Sequence, residues 1–165
     1  MREQLPSLAR TDAIQGGVAL AAAFIEQHPL LFMEGGSELF AYLSMEECQF
    51  CAHEQERAQQ AVDERGYQVG GEFVVYKNDA KFRFDLDQLD EPLLIVQFEV
   101  CEPPYTFVNA AGEITDQGGD TYIEVGLALL FRDGLWRVGE FGTRTIELTV
   151  WEDVPPEVRD MLERE

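Results

Sequence analysis

Positive charge is scarce in this sequence. Its 165 residues include 12 lysines and arginines against 32 aspartates and glutamates, which gives a formal net charge of −20 at pH 7. A field of this sign repels phosphate backbones and anionic lipid head groups. We therefore expect no nucleic-acid binding and no electrostatic docking on a membrane, and we interpret the excess of acid as a source of solubility.

Histidine is rarer still, with only His28 and His53 present. Because histidine is the side chain that ordinarily titrates near neutral pH, few groups here are suited to proton transfer. No pair of residues has a spacing that demands acid–base catalysis. The sequence predicts no catalytic residues, no resident metal and no cofactor, and it favours a non-enzymatic role without deciding the question.

Long apolar runs are also missing, since none approaches the roughly 18 to 20 residues that a membrane-spanning helix needs. One N-terminal stretch is similar to a secretory signal, because Arg2 and Arg10 precede an apolar run at residues 16–24. Glu3 and Asp12 interrupt the positive region, and an amphipathic helix with Asp12 near its start explains the run better. We expect no direct membrane insertion by this chain.

The length fits one domain, because a single core serves chains of up to roughly 200 residues. We predict an extended lead-in over residues 1–10, a single α+β domain over residues 11–151, and an acidic C-terminal helix or tail over residues 152–165. Apolar residues at helical spacing predict a first helix from about Thr11 to His28, which Pro29 ends or kinks. A short helix is predicted over residues 37–43.

A Ser-x-x-Glu pattern at Ser44 and Glu47 predicts a capping box that starts the next helix. That helix would carry Cys48 and Cys51 on one face in its first two turns and would run to Gly66. Its charged residues predict a solvated outer face, at Glu54, Glu56, Arg57, Asp63, Glu64 and Arg65.

From Tyr67 the hydrophobic period changes to two, which indicates strands. The predicted strands cover residues 81–87, 94–100 with a continuation at 105–108 beyond Pro103-Pro104, 123–131, 135–138 and 145–151. A polar hairpin loop is predicted at residues 109–119 and a tight turn at Asp133-Gly134. Helices followed by an antiparallel meander predict an α+β domain, with N-terminal helices packed into a strongly curved antiparallel sheet, a cone with an interior pocket.

Several local patterns together resemble a known family. They are Ala23-Phe24, Leu43-Ser44 followed by Cys48-x-x-Cys51, Gly66-Tyr67-x-Val69-Gly70-Gly71-Glu72, Tyr105 before Gly112, and Arg132-Asp133-Gly134-Leu135-Trp136-Arg137-Val138. Over roughly residues 5–142 the chain looks like the actinobacterial lipoprotein family of unknown function, whose domain has the nuclear transport factor 2-like (cystatin-like) fold. The resemblance implies an exported, cell-envelope-associated domain, lipid-anchored in its native precursor. Because no signal or lipobox is visible, a cytoplasmic location is the alternative.

Three interpretations of Cys48 and Cys51 stay open. The favoured one is a structural disulfide, which suits an exported domain. A redox pair is the second, although a thioredoxin-like motif would follow a strand instead of a helix. The third is a metal site with His53 and a fourth ligand from Cys101 or His28, but no second paired knuckle is present. Cys101 itself is predicted to be a buried free thiol.

An acidic cluster at Asp85, Asp87, Asp90 and Glu91 has the composition of a calcium site. The order of residues in an EF-hand is absent from it, since no glycine or distal glutamate falls at the required positions. We interpret the cluster as the solvated end of a strand.

Enzymes of the cone fold usually work with a histidine, aspartate or tyrosine that projects into the pocket. The candidate pocket residues here are His28, Tyr42, Tyr76, Glu99 and Tyr122. The sequence does not say which of them point inward, because a register error of one residue reverses every strand assignment.

We therefore predict a cell-envelope binding or interaction domain, stabilised by a Cys48–Cys51 disulfide, whose partner is a protein or a small apolar ligand. The first alternative is a small-molecule pocket enzyme of isomerase or hydrolase type, and the second is thiol–disulfide exchange. Homodimerisation through the open sheet face is common for the fold that the resemblance implies, and the sequence does not decide it.

Overall fold

The computed structural model describes residues 3, 5–11, 13–33, 37–64, 66–77, 80–85 and 93–146 of the chain. Within these ranges four α-helices come first: α1 (Ile14–Gln27), α2 (Leu30–Met33), α3 (Glu38–Leu43) and α4 (Gln49–Asp63). The strands follow: β1 (Tyr67–Gly70), β2 (Val74–Val75), β3 (Lys81–Asp85), β4 (Leu93–Glu102), β5 (Tyr105–Val108), β6 (Ile114–Gly118), β7 (Thr121–Arg132) and β8 (Leu135–Ile146). The predicted α+β class is confirmed.

The strands form two antiparallel sheets. The large sheet has the order β2-β4-β7-β8, with β3 also paired to β4, and the small sheet has the order β1-β5-β6. Pro103 and Pro104 separate β4 from β5, as predicted, but the chain then enters the small sheet instead of continuing the large one. The predicted loop at residues 109–119 is too long, because β6 occupies residues 114–118 and pairs with β5.

The joint between the two sheets is sterically tight. Gly119 has a φ of +84°, and a Cβ atom at this position would collide with the carbonyl oxygen of Pro103. A Cβ atom at Gly70 would lie 2.7 Å from the carbonyl oxygen of Pro104. Both positions therefore require glycine on steric grounds.

Helix α1 packs against the inner face of the large sheet. The apolar residues that alternate along β4 and β7 are buried: Leu94, Val96, Phe98, Val100, Ile123, Val125, Leu127 and Leu129. A Cβ atom on Gly17 would collide with the Leu94 side chain and lie 3.2 Å from the ring of Trp136. The absence of a side chain at Gly17 allows the helix to sit directly on the sheet.

Several predicted helix boundaries were wrong. A 3₁₀ helix covers Leu8–Arg10 in the lead-in predicted to be extended. Helix α1 has Ala13 at its N-cap with no side-chain cap. Ser44 caps the end of α3, since its hydroxyl donates to the carbonyl of Phe40 at 2.8 Å, and so it is not available for a capping box.

By length and composition alone, Ile14–Met33 would qualify as a membrane-crossing helix, with a mean hydropathy of 1.2, contrary to the expectation from the sequence. In the fold this stretch comprises α1 and α2, and 56% of the 18-residue window that meets these criteria is buried inside the protein. A core helix of a globular domain meets the same criteria, so the stretch is explained by its packing against the sheet.

The Asp133-Gly134 turn between β7 and β8 is confirmed, with positive φ at both residues. Some predictions lie outside the described residues: most of the acidic cluster, at Asp87, Asp90 and Glu91, and the C-terminal segment beyond residue 146.

Candidate functional site

A cavity of about 300 Å³ opens between the helices and the small sheet. One wall consists of the end of α1, α2 and one side of α4, and the opposite wall comes from β1, the end of β4, β5 and β6. Four aromatic residues line it: Phe32, Phe73, Tyr105 and Phe107. The fold thus builds a concave aromatic site at one end of the helical layer.

The local sequence explains the positions of the two central polar residues, His28 and Glu54. His28 is the C-cap of α1 and directly precedes Pro29, which has no backbone N–H to continue a helix. Glu54 lies on the buried face of α4, three residues after Cys51 and four before Ala58, both of which are buried. The two side chains therefore meet where these two helices come together.

Glu54 forms the centre of a charged network. Its Oε2 atom lies 2.9 Å from Nε2 of His28, and Arg57 Nη1 donates to Oε1 at 2.9 Å and to Oε2 at 3.3 Å. Glu54 is 4% exposed and is the only buried charged residue in the described part of the chain. Burial raises its pKa, but the hydrogen bonds and charges of His28 and Arg57 outweigh burial and leave the pKa lowered. The carboxyl group is therefore ionised at neutral pH.

Phenylalanine rings surround His28. Its ring stacks on Phe73 at a centroid distance of 5.4 Å, and four more rings lie within 6.3 Å: Phe32, Phe40, Phe50 and Phe141. Because the Glu54 carboxylate can only accept, Nε2 carries the hydrogen of this contact. The other ring nitrogen, Nδ1, is buried and has no hydrogen-bond partner among the described residues.

Arg57 occupies the open side of the network. Its guanidinium lies 5.4 Å from the ring centroid of Phe32, in cation–π geometry, and its side chain is 57% exposed. The cavity wall thus already holds one cation between a carboxylate and an aromatic ring.

The opposite wall is acidic. Burial raises the pKa of the Tyr105 phenol, the carboxylates of Glu102 and Asp116 raise it further, and Arg57 acts in the opposite direction. Glu64 lines the same opening from the end of α4. The phenol of Tyr105 therefore stays protonated at neutral pH in a negative local field.

Of the five candidate pocket residues, His28 lines this cavity and the other four do not. Tyr42 packs against the core elsewhere, where its ring lies 5.0 Å from the Arg137 guanidinium and its carbonyl accepts from Arg137 at 2.9 Å. The expectation that Tyr42 faces the pocket does not hold for this cavity.

The remaining three, Tyr76, Glu99 and Tyr122, lie on the face of the large sheet that points away from the helices. Strand β4 buries Val100 against the helices, so its neighbours Glu99 and Cys101 point the other way. Tyr122 donates to Glu99 Oε2 at 2.6 Å, and the Tyr76 and Tyr122 rings pack at 5.6 Å. Side chains alternate between the two faces of a strand, and the sequence does not show which face the helices cover. This is why these three candidates lie outside the cavity.

Sequence reasoning missed the residues at the centre of the site. Glu54 and Arg57 were predicted to lie on the solvated face of α4, yet Glu54 is buried. The available signal was the spacing of Glu54 from Cys51 and Ala58, which places all three on one helical face.

A second cavity, of about 350 Å³, lies between α2, α3 and α4 and includes Leu31, Glu38 and Gln55 in its lining. None of the described residues that line it is aromatic. The aromatic cavity is therefore the better candidate for recognition of a ligand.

Cys48 and Cys51 lie at disulfide-bonding distance at the start of α4, with Cα atoms 5.3 Å apart. Cys48 is the N-cap of the helix, and its sulfur accepts a hydrogen bond from the backbone N–H of Cys51 at 3.3 Å. Both residues are at most 1% exposed. Cys101 is a buried free thiol, as predicted. Among the described residues, no three His, Cys, Asp or Glu side chains form a metal-binding group.

Reduction of the Cys48–Cys51 bond is expected to destabilise the protein by about 2 kcal/mol or less, because the loop that it closes is very short. The measurement is the free energy of unfolding in urea with and without a strong reductant. The Cys48→Ser/Cys51→Ser variant, which cannot form the bond, should lose its sensitivity to reductant. Loss of cooperative unfolding on reduction would show that the bond holds the whole fold.

Comparisons with known proteins found no matching family model and no matching curated sequence. Solved structures that are similar in shape include two proteins of unknown function. Rv3472, a protein of unknown function from Mycobacterium tuberculosis, aligns with a TM-score of 0.47 and 15% identity over 87% of each chain. A domain of unknown function with a cystatin-like fold, from Nostoc punctiforme, aligns with a TM-score of 0.45 and 13% identity over 88% of this chain and 91% of the other. Neither similarity indicates a ligand or a reaction, and membership of the lipoprotein family stays a prediction.

Proposed function

We propose that this protein is a non-enzymatic binding domain of the cell envelope whose aromatic cavity holds one small, largely apolar ligand. The observation that carries the proposal is the cavity itself, a concave site of about 300 Å³ with four aromatic side chains in its wall. Small-molecule sites are typically concave and apolar, with a few polar groups at fixed positions. The network of His28, Glu54 and Arg57 supplies such groups here.

The ionisation of the lining residues favours binding over catalysis. The pKa of Glu54 is lowered and that of Tyr105 is raised, so both pKa values lie further from 7 than the ordinary values of these side chains. A general acid or base works best when its pKa lies near the operating pH. Neither residue is therefore suited to proton transfer at pH 7.

The cellular location in the proposal has two supports. A cysteine pair at disulfide distance is typical of oxidising compartments, and the bond weakly favours an exported protein. The second support is the resemblance of the Cys48-x-x-Cys51 and Gly70-Gly71 patterns to an actinobacterial lipoprotein family. This resemblance implies a location in the cell envelope and a lipid-anchored precursor.

A pocket enzyme is the second candidate, and the His28–Glu54 pair favours it. A histidine that donates to a carboxylate through one ring nitrogen and keeps the other nitrogen unpartnered has the arrangement of a general base. Thiol–disulfide exchange gains no such support, because it requires access to a sulfur and Cys48 is 1% exposed.

The test of the binding proposal uses N-phenyl-1-naphthylamine, a neutral probe that fluoresces strongly in apolar sites. We expect saturable fluorescence with one site per chain. The Gln60→Trp variant, which places a large ring at the cavity wall, should weaken binding at least about tenfold, since cavity volume is lost.

The matched control is Val62→Trp, which adds the same ring to an exposed position of α4 that does not line the cavity. Its affinity for the probe should equal that of the unmodified protein. Equal binding by all three proteins, or no saturable binding, would contradict the proposed site. Hydrolysis or isomerisation of small esters or enones that stops in His28→Gln would favour the enzyme instead.

A further inference from the structure

From the charges and rings of the cavity wall, we propose that the ligand is an organic cation, an amine or amidine carried on a flat apolar body. This inference rests on the proposed binding function and specifies the chemistry of the same site. It follows from three features of the cavity: uncompensated carboxylates, half-buried aromatic rings, and a cation that the wall already holds.

The first feature is an imbalance of charge. Among the described residues, the cavity is lined by one arginine, Arg57, and by four carboxylates, at Glu54, Glu64, Glu102 and Asp116. Glu54 is compensated by Arg57 and His28. None of the ion pairs among the described residues includes Glu64, Glu102 or Asp116, so these three carboxylates have no cationic partner there.

The hydrogen bonds of these three carboxylates confirm the imbalance. Glu64 accepts from the Gln60 amide at 2.9 Å, and Glu102 accepts from the Thr121 hydroxyl at 3.1 Å. Asp116 accepts from the backbone N–H of Gln117 at 2.8 Å. All three donors are neutral, so the negative charge at the mouth of the cavity is retained.

The second feature is the aromatic lining. The face of an aromatic ring is negative and attracts a cation within about 6 Å of its centroid. Phe32, Phe73, Tyr105 and Phe107 therefore provide both apolar contact and an electrostatic preference for positive charge. A neutral ligand would gain only the apolar contact, and an anion would be repelled by the ring faces.

The third feature is the position of Arg57. Its guanidinium packs over Phe32 at 5.4 Å and binds Glu54. An aromatic ring and a carboxylate of the cavity wall therefore already bind a cation together. A ligand with the same head group would find equivalent partners in Tyr105, Glu102 and Asp116 on the opposite wall.

The charge of the whole chain acts in the same direction. A net charge of −20 raises the local concentration of small cations near the protein and speeds their encounter with a negative cleft. The same field slows the approach of anions.

Three probes of nearly identical shape separate charge from shape: benzamidinium, benzamide and benzoate. We expect ligand-observed NMR titrations at low salt to give a benzamidinium affinity at least about tenfold above that of benzamide, and no binding of benzoate. Raising the salt concentration to about 0.2 M should weaken the binding of benzamidinium and leave the affinity for benzamide unchanged, because salt screens only the charge.

The Glu102→Gln/Asp116→Asn variant should lose most of the preference for benzamidinium. The matched control is Glu46→Gln/Asp63→Asn, which removes the same charge from exposed positions outside the cavity. It should retain the preference. A second variant, Arg57→Gln, should bind benzamidinium several-fold tighter, because it removes the internal cation from the wall.

Equal affinities for the three probes would overturn the inference, as would equal losses in the cavity variant and in its control. In both cases saturable binding of N-phenyl-1-naphthylamine would leave the proposed binding function standing. Failure of that neutral probe together with selective benzamidinium binding would support a cation site and reject an apolar one.

Discussion

Replacing Glu54 with alanine is expected to lower the free energy of unfolding by about 3 kcal/mol. The carboxylate is buried and holds two partners, so its removal leaves Nε2 of His28 unpaired among phenylalanine rings. Breaking a buried charged pair from one side costs about 3 to 5 kcal/mol. The lower value applies because Arg57 is more than half exposed and can return to water. Urea unfolding followed by circular dichroism measures the difference.

The same carboxylate has a defined pH dependence. Because the folded-state pKa of Glu54 is lowered, its charged form stabilises the protein fully above the ordinary glutamate pKa. This contribution is lost as the pH falls through the folded pKa. The gap in stability between the unmodified protein and Glu54→Gln should therefore be constant near neutrality and shrink below about pH 4.

Glu56→Ala is the matched control for Glu54→Ala, since Glu56 is an exposed glutamate on the same helix. It makes the same substitution and changes the net charge equally, and we expect a change of at most about 0.5 kcal/mol. Equal effects of the two variants would show that the network around His28 contributes nothing to stability.

Replacing Trp136 with alanine is expected to cost about 3 to 5 kcal/mol, the range for large aromatic side chains truncated in a core. Trp136 is 2% exposed, packs against Phe131 at a centroid distance of 5.3 Å, and lies beneath α1 at Gly17. Its loss leaves a void between the first helix and the sheet. Denaturant unfolding with an unchanged m-value would identify the effect as loss of stability.

Trp136→Phe separates the volume of the ring from its polar atom. The indole Nε1 is buried without a hydrogen-bond partner among the described residues, and an unpaired buried donor is unfavourable. Phenylalanine removes that donor and keeps most of the ring, so this variant should cost about 1 kcal/mol. A cost equal to that of alanine would mean that Nε1 has a partner that stabilises the fold.

The amino-acid sequence was sufficient for the class of fold and for the core, because periodicity reports burial directly. Leu94, Val96, Phe98 and Val100 alternate as a core strand should, and they are buried. The Asp133-Gly134 turn was predictable because its backbone conformation favours those two residue types.

The site was less predictable, because it depends on which elements meet. Glu54 was predicted to be exposed since a glutamate on a charged helix usually is, and only the distant partner His28 makes its burial favourable. Tyr76 and Tyr122 remained candidates for the pocket because strand alternation defines two faces without saying which one the helices cover. The passage of β5 into a second sheet depends on the strand pairing that follows Pro104, which no local pattern encodes.

The tight joint at Pro103, Pro104, Gly70 and Gly119 has a consequence for the evolution of this fold. Because a side chain at either glycine would force the two sheets apart, these positions tolerate less change than the cavity lining does. Homologues can therefore exchange the aromatic and acidic residues that select a ligand while the junction keeps the walls in place. Common ancestry should therefore be easier to recognise from the residues of this junction than from the residues that bind the ligand.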